Sequence, residues 1–183
     1  MKRRPRLGLL GGSFNPVHIG HVLMARWAKE ALRLDQVWLI PQAESADGKR
    51  LAPMVARWKA LNRALKGERG LFASDVDLRL GGISRTVETL RQLRYELGPR
   101  PEFTWILGQD QALQLPHWQE AEALPELCHF SYFQRAQAQP VPKRIHIGFR
   151  CSAIYSPSIE ISSTWIRQQK AASSRPDLAL ISS

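Results

Sequence analysis

The sequence predicts a doubly wound α/β fold, in which a mostly parallel sheet carries helices on both of its faces. Short apolar runs alternate along the chain with longer segments whose apolar residues recur at helical spacing. That alternation is the pattern of strands joined by helical crossovers. The length of 183 residues, 44% of them hydrophobic, is enough for one core without disulfides or structural metal. We therefore expect one domain over residues 1–183, with a weakly ordered tail at Ala171–Ser183.

Six short apolar runs are predicted to be strands, because they are bounded by polar or turn-forming residues. In chain order they are Leu7–Leu10, Val37–Ile40, Leu71–Val76, Phe103–Leu107, His129–Phe133 and Ile145–Phe149. Five longer segments have one apolar face and are predicted to be helices. These are Ile19–Leu32, Val55–Leu65, Thr86–Leu97, Trp118–Leu127 and Ser163–Lys170.

Sheets of this kind bind ligands beyond the carboxyl ends of their strands, near the point where the strand order reverses. Polar or glycine-rich sequence follows each predicted end, so we expect the chemistry just after Leu10, Ile40, Leu107, Phe133 and Ile161. Two of the connecting loops, Gln42–Pro53 and Arg135–Arg144, are expected to be mobile.

The charge balance favours an anionic partner. Lysine and arginine number 26 against 16 aspartate and glutamate, a formal net charge of +10. Such an excess suits nucleic acid or phosphorylated small molecules. The basic residues are scattered and no zinc-finger or single-stranded-RNA signature is present, so a nucleic-acid-binding module stays an alternative of a different class.

The cysteines and the apolar runs bear on the compartment. Cys128 and Cys151 have neither CxxC nor Cys/His ligand spacing, which is typical of reduced, buried thiols in a cytosolic protein. The apolar run after the basic residues at the start is shorter than a signal-peptide core, and no run approaches the ~20 residues of a membrane span. We expect a cytoplasmic protein with no membrane partner.

The segment that leads from the first predicted strand into the first helix is rich in glycine and histidine. Small residues at Gly11 and Gly12 let the backbone approach a phosphate, and the following helix start is a natural anion site. His18 and His21 are three residues apart, so both rings project from one face of the first turn. Two imidazoles and a helix end suit nucleotidyl transfer, in which they stabilise charge on the phosphate oxygens. Phosphate neighbours also favour protonated histidine.

A histidine pair at this spacing is equally typical of half a zinc site or of two satisfied surface groups. No third or fourth ligand follows at a suitable spacing, so we predict no resident metal.

The stretch from Gly11 to His21 resembles the GGxFxPxHxGH signature of the HxGH nucleotidyltransferase superfamily. Within it the chain is similar, from Leu7 to about Gln169, to the bacterial nicotinate-nucleotide adenylyltransferases. The resemblance implies a Rossmann-like sheet and direct transfer of AMP from ATP to nicotinate mononucleotide, giving nicotinate adenine dinucleotide and pyrophosphate in NAD biosynthesis. Mg²⁺ is expected on the ATP phosphates, since no carboxylate cage is visible.

The resemblance also implies roles for this segment. His18 and His21 contact the triphosphate, with His21 the main stabiliser of the transition state. The residues implied to line the ATP pocket are Gly11, Gly12, Ser13 and Phe14, with Asn15 on the acceptor side.

A second motif lies near the end of the printed sequence. A predicted strand runs into a hydroxyl-rich helix start, with Ser162 or Ser163 as the N-cap and Arg167 one turn along. In isolation this is also typical of an ordinary cap with a surface arginine. It resembles the ISSTxxR motif, which implies that the ATP phosphates are held by Ile161, Ser162, Ser163, Thr164 and Arg167, the last with a catalytic role.

Four further matches concern ATP and the acceptor. The run ending in Gly108, Gln109 and Asp110 puts a carboxylate at the edge of the sheet, where the resemblance implies ATP binding by Gly108 and Asp110. Trp118 is implied to cover the nicotinate ring. From the residues alone, Asp110 also suits an N-cap and Trp118 a core aromatic.

The segment Ser84–Leu90 resembles SYTxDTL, which implies that Thr86 recognises the nicotinate carboxylate. Arg135 matches an arginine that contacts the mononucleotide phosphate.

The chain departs from the family pattern at several places. Asn15 replaces an aspartate and Arg85 a tyrosine, and the loop Gln42–Pro53 lacks the histidine of the PPHK-type motif, leaving Lys49 or Arg50 as its cation. The closing helix that follows ISSTxxR in the family is expected to be shortened or replaced by Ala171–Ser183. Two alternatives follow: a different acceptor, such as nicotinamide mononucleotide or phosphopantetheine, and a nucleotide sensor without catalysis.

Overall fold

A computed structural model describes residues 3–46, 48–134, 140–149 and 151–155. Its strands are β1 (Arg6–Gly12), β2 (Gln36–Pro41), β3 (Leu71–Ala73), β4 (Glu102–Gly108), β5 (His129–Phe133) and β6 (Cys151–Ile154). Its helices are α1 (Ile19–Ala31), α2 (Met54–Ala64), α3 (Val76–Leu80), α4 (Thr86–Leu97), α5 (Gln109–Gln114), α6 (Leu124–Leu127) and α7 (Lys143–Phe149), with 3₁₀ turns at Leu115–His117 and Ala121–Ala123.

All six strands form one parallel sheet in the order β3-β2-β1-β4-β5-β6. The chain builds outward from β1 to β3 and then crosses back to place β4 on the other side of β1. The carboxyl ends of β1 and β4 therefore flank the point where the strand order reverses, which is where such sheets bind ligands. The predicted fold class is confirmed.

The core lies on both faces of the sheet because consecutive side chains of a strand point to opposite faces. In β1, Leu9 packs into a cluster with Leu90 of α4, whereas Leu10 packs into a second cluster with Val22 of α1 and Leu61 of α2. Helices thus cover both faces, and the residues that follow β1 lie between the two layers at the sheet edge.

Most predicted elements are confirmed to within two residues, and α4 is found at the predicted bounds. The predicted strand Leu71–Val76 is wrong beyond Ala73. Asp75 is the N-cap of α3, and its carbonyl accepts a hydrogen bond from Arg79 N at 2.9 Å. Ser74 and Asp75, the two polar residues before Val76, therefore lie between the end of β3 and the start of α3.

The predicted strand Ile145–Phe149 is also wrong, because this segment belongs to α7. Ile145 and Phe149, four residues apart, are both buried on one side of the helix, and this spacing suits a helix as well as a strand. The sixth strand is Cys151–Ile154 instead.

The predicted helix Trp118–Leu127 is not continuous. Glu120 has a left-handed backbone, with φ of 50°, and the chain then forms a 3₁₀ turn and the short helix α6. The helix predicted at Ser163–Lys170 and the tail Ala171–Ser183 lie outside the described residues, as does part of the loop Arg135–Arg144. In the part of the chain that is described, no helix combines the length and the apolar character of a membrane span.

Candidate active site

A cavity of about 640 Å³ opens at the carboxyl edge of the sheet, between the ends of β1 and β4. Residues from four separate parts of the chain line it. Among them are Gly11 of β1, Trp105 of β4, Thr86 of α4, Asp110 of α5, Trp118 and Arg85. Three of the places where chemistry was expected, after Leu10, Ile40 and Leu107, thus contribute Gly11, Gln42 and Asp110 to the cavity wall.

Gly11 and Trp105 meet at the floor of this cavity. A Cβ built on Gly11 would lie 2.8 Å from Cζ2 of the Trp105 indole, closer than real contacts allow. Trp105 is buried, so the ring has little freedom to move aside. Glycine is therefore required here for the first strand to pass the indole.

The loop after β1 turns sharply at Phe14, whose φ of 42° is unusual for a bulky residue. Its side chain is 1% exposed, and its ring meets the His21 ring edge-to-face at a centroid distance of 4.9 Å. Burial of the phenyl ring holds the strained turn in place. Phe14 thus helps to fix the position of the His21 ring.

His18 and His21 form a close pair at the start of α1, as their spacing predicted. Their ring centroids are 3.8 Å apart, and the backbone N–H of His18 donates to Nδ1 of His21 at 3.2 Å. Because Nδ1 accepts this bond, the proton of the neutral imidazole is on Nε2. His21 therefore offers an Nε2–H donor in a fixed ring orientation.

Burial decides the charge of this pair in the protein alone. Burial, and secondarily the neighbouring His18, lower the pKa of His21 from 6.5 to about 3. Burial also lowers the pKa of His18. Both rings are neutral near pH 7, so the expected protonation would have to come from a bound phosphate and stays a prediction.

His18 carries a polar atom that the surrounding protein does not satisfy. Its Nδ1 is buried, and no hydrogen-bond partner for it exists among the described residues. Such an atom destabilises a fold by ~1–3 kcal/mol unless something binds it. A hydrogen-bonding ligand at the start of α1 would satisfy it.

The loops around the cavity are tied together by hydrogen bonds. Asn15 Oδ1 accepts from Ala52 N at 3.2 Å, and Gln42 N donates to Gly12 O at 3.0 Å. The predicted acceptor-side residue Asn15 thus also anchors the loop Gln42–Pro53.

The start of α4 is fixed by a buried carboxylate that sequence reasoning did not single out. Asp77 is 5% exposed and accepts a hydrogen bond from Thr89 Oγ1 at 2.6 Å and another from the Ser84 side chain. Burial raises the pKa of the Asp77 carboxyl. Ser84 Oγ in turn accepts from Ala43 N at 2.8 Å. These bonds hold the segment before Thr86 at the cavity wall.

Arg57 of α2 is a second functional candidate that the sequence reasoning missed. Its guanidinium is buried and donates only to backbone carbonyls, among them that of Ser13 in the glycine-rich loop. A lone arginine on a helix carries no motif, so the sequence contains no signal that singles it out.

The structure brings part of the predicted site together. Four of the predicted site residues line one cavity: Gly11, Thr86, Asp110 and Trp118. Gly12 ends β1 and Gly108 ends β4. The segment from β1 into α1 then carries Ser13, Asn15, His18 and His21. The predicted residues Arg135, Ile161, Ser162, Ser163, Thr164 and Arg167 lie outside the described residues.

The described residues also bear on metal binding. Within them, no group of three or more His, Cys, Asp and Glu side chains is placed to hold a metal ion.

Comparisons with known proteins agree with this geometry. The sequence pattern of the cytidylyltransferase-like family matches residues 9–169. The chain is 36% identical over 174 residues to the probable nicotinate-nucleotide adenylyltransferase of Synechococcus sp. (strain JA-3-3Ab), covering 90% of this chain and 82% of that one. The corresponding protein of Streptococcus pneumoniae serotype 4 is 33% identical, covering 98% of this chain and 84% of that one.

Among solved structures, the chain is similar to Plasmodium falciparum nicotinic acid mononucleotide adenylyltransferase complexed with NaAD. The TM-score is 0.76 at 21% identity, covering 90% of this chain and 83% of that one. This similarity supports the fold.

Proposed function

The chain belongs to the cytidylyltransferase-like family, and on that premise we propose that it is a nicotinate-nucleotide adenylyltransferase. A phosphate oxygen of nicotinate mononucleotide attacks the α-phosphorus of ATP, and the bond from that phosphorus to the β-phosphate oxygen breaks. The products are nicotinate adenine dinucleotide and pyrophosphate. No covalent enzyme intermediate is needed, because positioning and charge stabilisation suffice for this transfer.

The observation that carries the proposal is the close pair His18 and His21 at the start of α1, the helix that follows the β1 wall of the cavity. Negative charge builds on the phosphate oxygens during transfer, and a fixed Nε2–H of His21 can donate to such an oxygen. The unsatisfied Nδ1 of His18 offers a second polar contact. The first turn of α1 adds the partial positive charge of a helix start.

The remaining phosphate contacts are part of the same proposal. Mg²⁺ enters as part of the Mg–ATP substrate, whose oxygens are the hard ligands that this ion prefers. We assign the motif from Ile161 to Arg167 to the triphosphate and Arg135 to the mononucleotide phosphate, on the basis of the family resemblance. Asp110 at the cavity edge is assigned to ATP. The free thiols Cys128 and Cys151 support a cytoplasmic location.

The cavity walls suit a pyridine acceptor. Two indoles, Trp105 and Trp118, line it and offer flat apolar surface for a heteroaromatic ring. Thr86 begins α4, whose first N–H groups suit a carboxylate.

The direct test is product analysis. Pure protein is incubated with Mg–ATP and either nicotinate or nicotinamide mononucleotide, and pyrophosphate and dinucleotide are measured. We expect the acid to give the higher kcat/KM. Absence of pyrophosphate with every acceptor tried, phosphopantetheine included, would reject the enzyme and leave a nucleotide sensor.

The Trp118 ring is expected to act on the acceptor. Replacing Trp118 with alanine removes one stacking surface, so the KM for nicotinate mononucleotide should rise about tenfold while the KM for ATP changes little. Steady-state kinetics with each substrate varied in turn measures both values. Tyr95→Ala, which removes an exposed ring on α4, is the matched control and should leave both values unchanged. Equal increases in both KM values would contradict the assignment.

Arg85 is expected to strengthen the preference for the acid. It is the only lysine or arginine among the described residues that line the cavity. Its Nη1 forms an ion pair with Glu88 Oε1 at 3.3 Å, and both side chains are partly exposed. Replacing Arg85 with tyrosine removes a positive charge near the proposed carboxylate site, so the acid-to-amide ratio of kcat/KM should fall about tenfold.

The control for Arg85→Tyr is Arg91→Gln on the outer part of the same helix, where Arg91 pairs with Glu120 at 2.7 Å. Both variants remove one positive charge, and only the first should change the ratio. The same ratio in all three proteins would remove Arg85 from acceptor recognition.

A further inference from the structure

The guanidinium of Arg57 is buried in the centre of the loops that surround the proposed phosphate site. The residue is 3% exposed and makes four hydrogen bonds, all to backbone carbonyls. Nε donates to Ala52 O at 2.9 Å, Nη1 to Gln42 O at 2.8 Å and to Ser13 O at 3.1 Å, and Nη2 to Ala43 O at 3.2 Å.

These four carbonyls belong to two loops, one after β1 and one after β2. Ser13 lies in the glycine-rich loop, Gln42 and Ala43 begin the loop after β2, and Ala52 lies near the end of that loop. The planar fork of arginine suits this task, because its N–H donors point in fixed directions within one plane. One side chain thus fixes the relative positions of the two loops.

The charge of Arg57 is as unusual as its hydrogen bonds. Buried arginines normally pair with a carboxylate. Over the described part of the chain, no aspartate or glutamate forms an ion pair with Arg57, and all its acceptors are neutral. Burial lowers the pKa of its guanidinium, but an arginine side chain in a protein keeps its charge. A buried positive charge therefore remains next to the backbone of the glycine-rich loop.

The network continues from Arg57 to the acceptor side of the cavity. The carbonyl of Ala43 accepts from Arg57, and the N–H of Ala43 donates to Ser84 Oγ at 2.8 Å. Ser84 also bonds the buried Asp77 and stands two residues before Thr86. Through Ala43, Arg57 is therefore connected both to the glycine-rich loop proposed to bind ATP and to the segment before Thr86 proposed to bind the acceptor.

We propose that Arg57 is a positioning residue for nucleotidyl transfer. It holds the glycine-rich loop and the loop Gln42–Pro53 in register, and its unpaired charge makes their junction attractive to a triphosphate. It touches no reacting atom, and it acts through the backbone of Ser13 and Gln42. The expected effect on kcat rests on the proposed function, whereas the expected effect on ATP affinity requires only that the protein binds ATP.

The test compares Arg57→Met, Arg57→Lys and the wild-type chain. Methionine keeps much of the volume and removes both the charge and the donors. We expect about tenfold weaker Mg–ATP binding by calorimetry and about 10²-fold lower kcat, because a small displacement of the loops misaligns the two substrates. Lysine keeps the charge and fewer donors, so its ATP binding should recover to within about threefold of wild type, while kcat stays reduced.

Arg63→Met is the matched control, because Arg63 is an exposed arginine on the same helix. It should leave ATP binding and kcat unchanged. A general structural role would lower the folded fraction of Arg57→Met without changing ATP affinity per folded molecule, and that result would overturn the proposal. So would wild-type kcat in this variant.

Two further outcomes separate the hypotheses. If Arg57→Met does not fold, Arg57→Lys carries the test, and an unchanged kcat in it would overturn the proposal. If the wild-type chain binds Mg–ATP and forms no dinucleotide, the proposed function fails, and Arg57 is still judged on the loss of ATP affinity.

Discussion

Replacing His21 with alanine is expected to lower kcat by about 10²-fold or more, the size typical of losing one group that stabilises charge in the transition state. The expectation rests on the orientation of the ring. The His18 N–H bond to Nδ1 and the edge-to-face contact with Phe14 fix the imidazole, so that Nε2–H donates without rearrangement. The ATP dissociation constant should change much less than kcat, because this donor acts mainly on charge that develops during transfer.

Single-turnover and steady-state rates of dinucleotide formation measure this effect, with calorimetry for ATP binding. The control is His129→Ala, which removes an exposed histidine at the start of β5 and should have no effect on rate. A rate for His21→Ala equal to that of the wild type would remove His21 from the mechanism. A loss confined to ATP affinity would make it a binding group instead.

Replacing Gly11 with alanine is expected to lower kcat/KM by about 10²-fold, although it adds only one methyl group. The backbone of Gly11 is held by its register with Ile40 of β2, and the new Cβ would lie 2.8 Å from the Trp105 indole. The ring must therefore tilt toward the cavity that it lines, which displaces the acceptor from its reacting position. We also expect a melting temperature several degrees lower, since overpacking a buried contact is destabilising.

Gly148→Ala tests whether any glycine replacement has this effect. Gly148 lies in α7, and an added Cβ there meets no atom within 4 Å, so both activity and stability should be preserved. Wild-type kcat/KM in Gly11→Ala would show that the indole can yield without moving the substrate.

Local patterns explain which elements could be predicted. Helix α4 was predicted at its true bounds because Val87, Leu90 and Leu93 form one buried stripe at helical spacing. The segment Ile145–Phe149 was mispredicted because Ile145, Ile147 and Phe149 alternate as in a strand, whereas the buried pair Ile145 and Phe149, four residues apart, also suits a helix. The break at Glu120 has no such signal, since a left-handed backbone at glutamate is uncommon.

The alternation of strands and helices and the common face of His18 and His21 could be predicted from the order of the residues alone. Both features depend on how apolar residues and histidines are spaced along the chain, and that spacing is visible in the sequence. The neutral state of the histidines and the steric limit that Trp105 sets at Gly11 could not be predicted in this way, because burial and steric fit arise when distant segments pack. The hydrogen bonds of Arg57 could not be predicted either. Arg57 donates to backbone carbonyls, which every residue has. The residue types in the sequence therefore do not indicate which carbonyls Arg57 binds.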